Sequence, residues 1–377
     1  MRPTVAAYYF PNYHHDARHD RRLGPGWTEW DLVRRAQPRY PGHQQPKVSA
    51  WGEFDESDPA WTAREIDLAA DHGVDVFIYD WYWYNDGPFL QDGLDKGFLK
   101  APNRSRTKFA LMWANHDWIE LFPAPKGDKP LIYPGALNRQ AWERLCDQAV
   151  EQYFTQPTYW TIDGKPYFSI YEIGRFIAGL GGLEQAAEAI AAMRAKAVAA
   201  GLPGVHINIV VWGLSCLPSE VAVRDPKAII DALGADSATT YAWVHHYNPN
   251  QHGFPKGSYD EAFKANRAAW TARRAELPIP YHPNVSMGWD SSPRTIQSQP
   301  YEQKGYPWIA VLEGNTPAAF RAALIAARDF AVQDPRCPAV VLNAWNEWTE
   351  GSYLLPDTVH GLAYLEAVRE VFGVEEQ

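Results

Sequence analysis

Cysteine is scarce in this chain of 377 residues: Cys146, Cys216 and Cys337 are odd in number and far apart. No Cys-x-x-Cys pair and no Cys/His zinc spacing occurs, so neither a disulfide framework nor a structural zinc is expected. Three free thiols in a reducing compartment is the simplest account. Long apolar runs are missing too. None approaches the ~18–20 residues of a membrane span. Positive charge is in deficit, with 35 Lys and Arg against 45 Asp and Glu and a net charge of −10. That balance argues against nucleic acid or an anionic membrane as a partner. No signal-peptide pattern opens the chain, because residues 5–10 already read as a strand. The expectation is a cytoplasmic protein; a secreted or periplasmic one stripped of its leader would look the same. Gly-rich nucleotide loops, internal repeats, linkers and low-complexity tracts are absent as well.

Aromatic residues are abundant instead, with 17 Trp and 20 Tyr. Core packing rarely needs so many indoles, since each buried Trp nitrogen wants a partner. Clefts that bind carbohydrate do use them, because a ring stacks on the apolar face of a pyranose. With 46% hydrophobic and 21% charged residues, the chain has enough apolar mass for a large core.

Eight apolar, β-rich runs recur, at residues 5–10, 74–82, 109–114, 167–171, 205–212, 237–243, 284–289 and 339–345. Helical patterns lie between most of them. Asp58-Pro59 predicts a cap and first turn for a helix that stops at Gly73, and Asn138 predicts another running to residue 153. Residues 183–200, 259–275, 316–331 and 361–372 complete the clearer cases. The second and fifth connections are less regular, and residues 308–312 compete for the seventh strand. This alternation predicts a single-domain (β/α)8 TIM barrel over residues 1–377. A doubly wound open sheet is the alternative, and no Gly-rich loop supports it. Residues 11–57 are too long for a turn and too rich in Trp, Tyr, His and Pro for disorder. They are expected to fold over the barrel mouth after the first strand.

The last apolar run ends in Asn343-Ala344-Trp345-Asn346-Glu347-Trp348-Thr349-Glu350-Gly351. A parallel barrel builds its active site where strands end, so Glu347 and Glu350 are expected to face one cleft. Two close carboxyls beside indoles suit acid/base work on a glycosidic bond. A lone Glu here would read as a loop cap or ion-pair partner; a pair on this strand end points to catalysis.

The other strand ends supply candidate substrate contacts. These are Asp80 and Tyr82, Trp113 and Asn115, Tyr171, Trp212, Tyr241, and the group Trp289, Asp290 and Arg294, with Asn343 and Asn346 beside the carboxyls. A single indole there serves packing as readily as sugar binding. Asp290 with Arg294 reads as a structural ion pair or a clamp on an acidic sugar. His14, His15 and His19, and the pair His245-His246, raise the question of metal, but adjacent histidines point apart. Neither a metal nor a cofactor is expected.

The chain resembles the glycoside hydrolase family 99-like proteins, also called the WbsX type. The motifs that carry the resemblance include Tyr8-Tyr9-Phe10-Pro11, Gly26-Trp27-Thr28-Glu29-Trp30, Gly42-His43-Gln44-Gln45-Pro46, Trp113-Ala114-Asn115, Gly164-Lys165-Pro166-Tyr167, Trp289-Asp290 and the Asn343 to Gly351 segment. They run in order through nearly the whole chain. The resemblance adds Tyr9, His43 and Gln44 to the candidate substrate contacts. It implies a (β/α)8 barrel and an oligosaccharide or polysaccharide substrate. Characterised family 99 enzymes are retaining, endo-acting α-mannosidases. Their Glu-x-x-Glu pair supplies a base for the sugar 2-hydroxyl and an acid for the leaving oxygen, through a 1,2-anhydro intermediate. Carried over by motif, Glu347 is the base and Glu350 the acid/base. A glycosyltransferase or transglycosidase of cell-surface polysaccharide assembly, and a non-catalytic glycan-binding barrel, are the rival readings.

Overall fold

The computed structural model describes residues 2–217, 220 and 225–373. Eight strands run parallel: β1 (Thr4–Tyr9), β2 (Val76–Tyr84), β3 (Lys108–Trp113), β4 (Lys165–Ile170), β5 (His206–Val210), β6 (Ser237–Thr239), β7 (Asn284–Ser286) and β8 (Ala339–Asn343). Their order around the sheet is β6-β5-β4-β3-β2-β1-β8-β7. Each strand neighbours its sequence partner, and β1 lies between β2 and β8. The remaining seam, between β6 and β7, is held by one parallel bridge, Ala238 with Tyr281. Two backbone bonds support it, Ala238 N to Pro280 O at 3.0 Å and His282 N to Ala238 O at 2.8 Å. This is the (β/α)8 barrel, and the doubly wound alternative is excluded because the sheet closes on itself.

The helices start where short polar side chains predict. Asp58 accepts from the Ala60 amide at 2.8 Å and Pro59 fills the first turn of Pro59–Asp71. Gly73 follows at φ +82°, a left-handed conformation that releases the chain toward β2. Asn138, Ser258 and Thr316 cap Arg139–Gln148, Tyr259–Glu276 and Pro317–Val332 in the same way. The irregular second connection holds one π-helical turn and two 3₁₀ turns. The fifth contains Pro226–Leu233, preceded by residues outside the described set. The competing run near residue 308 does not enter the barrel: Val311–Glu313 pairs with Lys256–Ser258 beside it. Among the described residues, no helix is long and apolar enough to cross a membrane.

The segment after β1 folds as expected for an ordered cover. It carries two short helices, Ala17–Leu23 and Trp30–Arg35. Trp30 pins it by packing edge-on to Phe54 and donating its indole N–H to the Phe54 carbonyl at 2.9 Å.

Side chains alternate across each strand, so every second residue leaves the barrel interior. On β1, Tyr8 packs against Tyr241 at 4.6 Å, whereas Tyr9 faces the helix Pro59–Asp71 and donates to Glu65 at 2.9 Å. Trp345 donates to the other oxygen of Glu65 at 3.2 Å. Burial pushes the Glu65 carboxyl up to about 8, more than its hydrogen-bond donors bring it down. An unfolded Glu releases its proton near ~4.3. From there to about 8 the folded chain holds a proton that the unfolded chain has lost, so stability falls as pH rises through that window. Thermal melts at the two ends should show the lower midpoint at the alkaline end. Glu65→Gln should shrink that fall; an unchanged fall would rule out Glu65 as its source.

Candidate functional site

β8 delivers the two carboxyls through a tight hairpin. Asn346–Glu347 pairs antiparallel with Ser352–Tyr353, and a 3₁₀ turn, Trp348–Glu350, lies between them. Gly351 closes the turn at φ +60°. A Cβ there would meet the Asp290 Cβ at 2.7 Å, so glycine is needed both for the backbone and for the close approach. Both carboxyls face a cleft that opens to solvent.

Arg294 organises the cleft. It sits in the 3₁₀ turn after β7 and is almost fully buried. Its guanidinium donates to Glu350 at 2.6 Å, to Glu347 at 3.3 Å and to Glu29 at 3.1 Å. The Tyr306 hydroxyl bonds both Arg294 and Glu350. On the far side of Glu347, the Tyr241 hydroxyl lies 2.7 Å from Glu347 and 2.8 Å from Asp80. One phenol proton serves one carboxylate, so a hydrogen bond at both contacts requires that Asp80 or Glu347 be protonated.

The electrostatics agree. Burial, then the charge of Glu350, pushes the Glu347 carboxyl up against the pull of Arg294 and Tyr241. Glu350 is also raised by burial, despite Arg294 and Tyr306. Asp80 is raised well above its ordinary range by burial and by Glu347. Glu29 is raised by burial too, although Arg294, Thr349 and Asn12 all favour its charge. One cation among four buried carboxyls cannot hold four negative charges, so the cluster retains protons near neutrality.

A second polar group lies in the same cleft. Tyr171 donates to Glu220, whose other oxygen accepts the Cys216 and Leu217 amides at 2.6 and 2.9 Å. His245 approaches Glu220 at 3.6 Å. Burial opposes the Glu220 charge, but His245 and these donors hold the carboxyl below its ordinary value.

Of the residues expected to bind substrate, Asp80, Tyr82, Tyr171, Tyr241, Trp289 and Arg294 line the cleft with Glu347 and Glu350. The others do not meet there. Tyr9 and Trp113 fall on the outward phase of their strands; Trp113 packs on Trp142 and donates to the Trp83 carbonyl at 3.2 Å. Trp212 packs behind Tyr171 at 5.2 Å. Asn115 exchanges two bonds with the Glu172 backbone, at 2.8 and 2.7 Å. Asn346 does the same with the Phe10 backbone, at 2.9 and 2.8 Å. Asn343 accepts from Ser286 and Ser352 inside the barrel. The indoles beside the carboxyls also turn away: Trp345 to Glu65, Trp348 onto Tyr353 at 3.8 Å.

His43, Gln44 and Asp290 line a neighbouring hollow on the other side of Trp289. Asp290 does not pair with Arg294. It accepts from His43 at 2.8 Å and Gln45 at 2.6 Å. It thereby ties the cover segment to the Glu350 turn. Burial opposes its charge, but His43, the Lys47 charge and Ser292 bring its carboxyl down to about 2. His14 bonds Glu56 and His19 bonds Asn12. Among the described residues no group of three His, Cys, Asp or Glu is placed to hold a metal ion.

Sequence reasoning did not assign Glu29, Tyr306, Glu220 or His245. Glu29 lay in a quoted motif and His245 was raised only as a metal candidate; Tyr306 and Glu220 carry no periodic signal in the sequence.

Residues 5–368 match the family described as glycosyltransferase WbsX. Two relatives named uncharacterized protein WxcX, from two strains of Xanthomonas campestris pv. campestris, are 25% identical over 382 and 381 residues. These alignments cover 97% of this chain and 49% of each relative, so the chain spans about half their length. A GH99 endo-α-mannosidase from Bacteroides thetaiotaomicron, in complex with Bis-Tris propane, shares the fold at a TM-score of 0.59 and 13% identity, covering 98% of this chain and 95% of that one. A protein described as glycoside hydrolase-like gives 0.62 at 15% identity, covering 99% and 95%. With the match running from β1 into the last helix, this chain belongs to the WbsX glycosyltransferase family.

Proposed function

We propose that this chain is a glycoside hydrolase that cleaves an α-linked glycan with retention, using Glu347 and Glu350. The observation that carries the reading is the pair of buried carboxyls on one hairpin, both bonded to Arg294 at the floor of an aromatic cleft. In the reaction, Glu347 takes the proton of the sugar 2-hydroxyl. The freed oxygen attacks C1 as the glycosidic bond breaks, and Glu350 protonates the departing oxygen. Water then opens the 1,2-anhydro sugar: Glu350 takes its proton, the hydroxide joins C1, and Glu347 returns the proton to the 2-oxygen. Arg294 offsets the charge that moves between the two carboxyls, in a dry site where such contacts act strongly.

The resting network favours a particular starting point. Arg294 is nearer Glu350 than Glu347, which favours charge on Glu350 and a proton on Glu347. The assigned roles need the reverse. In this reading, the substrate's leaving oxygen draws the proton to Glu350, while the Tyr241 and Asp80 pair accommodates the charge left on Glu347.

The family description favours a second reading, transfer of the sugar to another sugar by the same two carboxyls. Product analysis separates them: hydrolysis releases a reducing sugar to water, transfer forms product only with an added acceptor.

Leaving-group dependence tests the roles. Glu350→Gln should lose about 10²–10⁴-fold in kcat/KM on a natural α-glycan, yet recover much of it on an α-glycosyl fluoride, which needs no proton. Glu347→Gln should stay inactive on both. Recovery by Glu347→Gln instead would exchange the two assignments.

The pH profile gives an independent check. A proton must reside on the carboxyl pair, and burial raises both groups. Activity should persist above the ordinary Glu range of about 4.3 and fall as pH rises through the raised value. A profile already falling near the ordinary value would contradict a shared, retained proton.

A further inference from the structure

We infer that the sugar seated against Glu347 and Glu350 is a 6-deoxyhexose, a pyranose with a methyl group at C5 in place of a hydroxymethyl group. The inference rests on the proposed reading of that site and names its substrate class.

Two kinds of surface meet in the cleft. Most of the polar side is bonded to itself: Arg294 to three carboxyls, Tyr306 to Glu350, Tyr241 to Asp80 and Glu347, Tyr171 to Glu220. Among the described residues, Asp80 Oδ1, His245 Nδ1 and Trp289 Nε1 have no partner and are left for ring hydroxyls. The other side is aliphatic as well as aromatic. Met112 is the register partner of Asp80 on the adjacent strand, so a thioether lies beside the acid cluster. Beyond β3, Ile119, Leu121 and Phe122 line the cleft, and Leu217 joins them.

This wall is fixed in place. Trp118 stacks on Phe122 at 5.3 Å, and Ile119 pairs with Leu131 in a short antiparallel ladder. The Ala124 amide donates to the Arg294 carbonyl at 2.7 Å, which joins the wall to the acid cluster. Glu120, the one charged residue between Trp118 and Ala124, is turned away onto Arg22.

Aromatic rings alone would not discriminate, because they stack on the face of any pyranose. Aliphatic side chains have no such use; they suit a methyl group and leave a hydroxyl unpaired. A 2-acetamido sugar would also bring a methyl group, but the proposed chemistry needs a free 2-hydroxyl. We place the methyl group at C6, where it leaves every ring hydroxyl, the 2-hydroxyl included, free.

The test is saturation-transfer NMR on the intact chain with pairs of methyl α-pyranosides that differ only at C6. These are mannoside against rhamnoside and galactoside against fucoside, each in the D and L series. At least one deoxy member should bind about tenfold tighter than its partner, within the roughly 100-fold limit of an apolar pocket against an added hydroxyl. Its C6 methyl should take the largest saturation, and Leu121→Asn should narrow the preference. Equal or tighter binding of the hydroxymethyl member in every pair would overturn the proposal, as would no binding by any member. An unchanged preference in Leu121→Asn would overturn the placement. Deoxy preference in a chain that cleaves no glycan would sink the hydrolase reading and leave this one. Cleavage without that preference would do the opposite.

Discussion

The guanidinium of Arg294 is the fixed point of this molecule. It is the one Arg or Lys among the described residues lining the cleft, and it meets Glu29, Glu347 and Glu350 at once, with Asp80 one phenol away. Burial weakens its charge, but Tyr306, Glu350, Glu29 and Glu347 more than restore it. Four buried carboxyls around one cation force protons to stay where water would have removed them. The raised carboxyls follow from that imbalance and from burial, not from any single Glu.

Such a cluster is costly unless its geometry is held from outside. Here the supports come from residues that never touch the cleft. Asn346 clips the hairpin to the Phe10 backbone, and the Trp345 amide donates to the Tyr8 carbonyl at 2.7 Å. Asp290 ties the Glu350 turn to His43 and Gln45 of the cover segment, with Gly351 allowing the close contact. Glu29 reaches Arg294 from the same segment and also accepts from Thr349 at 2.7 Å. The long segment after β1 is thus part of the site's frame. Several motif residues that look like substrate contacts in the sequence are these ties.

The strand ends of the sequence were readable as a set, but their individual members were not. Asp80, Tyr82 and Tyr241 face inward, while Tyr9 and Trp113 fall on the opposite phase of strands that are buried on both faces. When inward and outward positions are equally apolar, alternation leaves no mark in the sequence. Tyr306 was invisible for another reason. It comes from an irregular stretch between β7 and the helix Pro317–Val332, where no periodicity signals what a side chain will meet.

By itself, the sequence determined the eight apolar runs, the capped helices between them, the ordered cover after the first strand and the Glu-x-x-Glu pair at the last strand end. Local chemistry is enough for these: turn and cap residues act within a few positions, and a strand delivers its end residues to one rim. Tertiary structure alone decided which aromatic rings reach the cleft, that Asp290 belongs to His43 and not to Arg294, and that one guanidinium holds carboxyls from two distant parts of the chain. It also set the Met112 thioether beside Asp80, through the register of β2 with β3. Those outcomes depend on register, strand phase and burial, which arise only when segments hundreds of residues apart pack together.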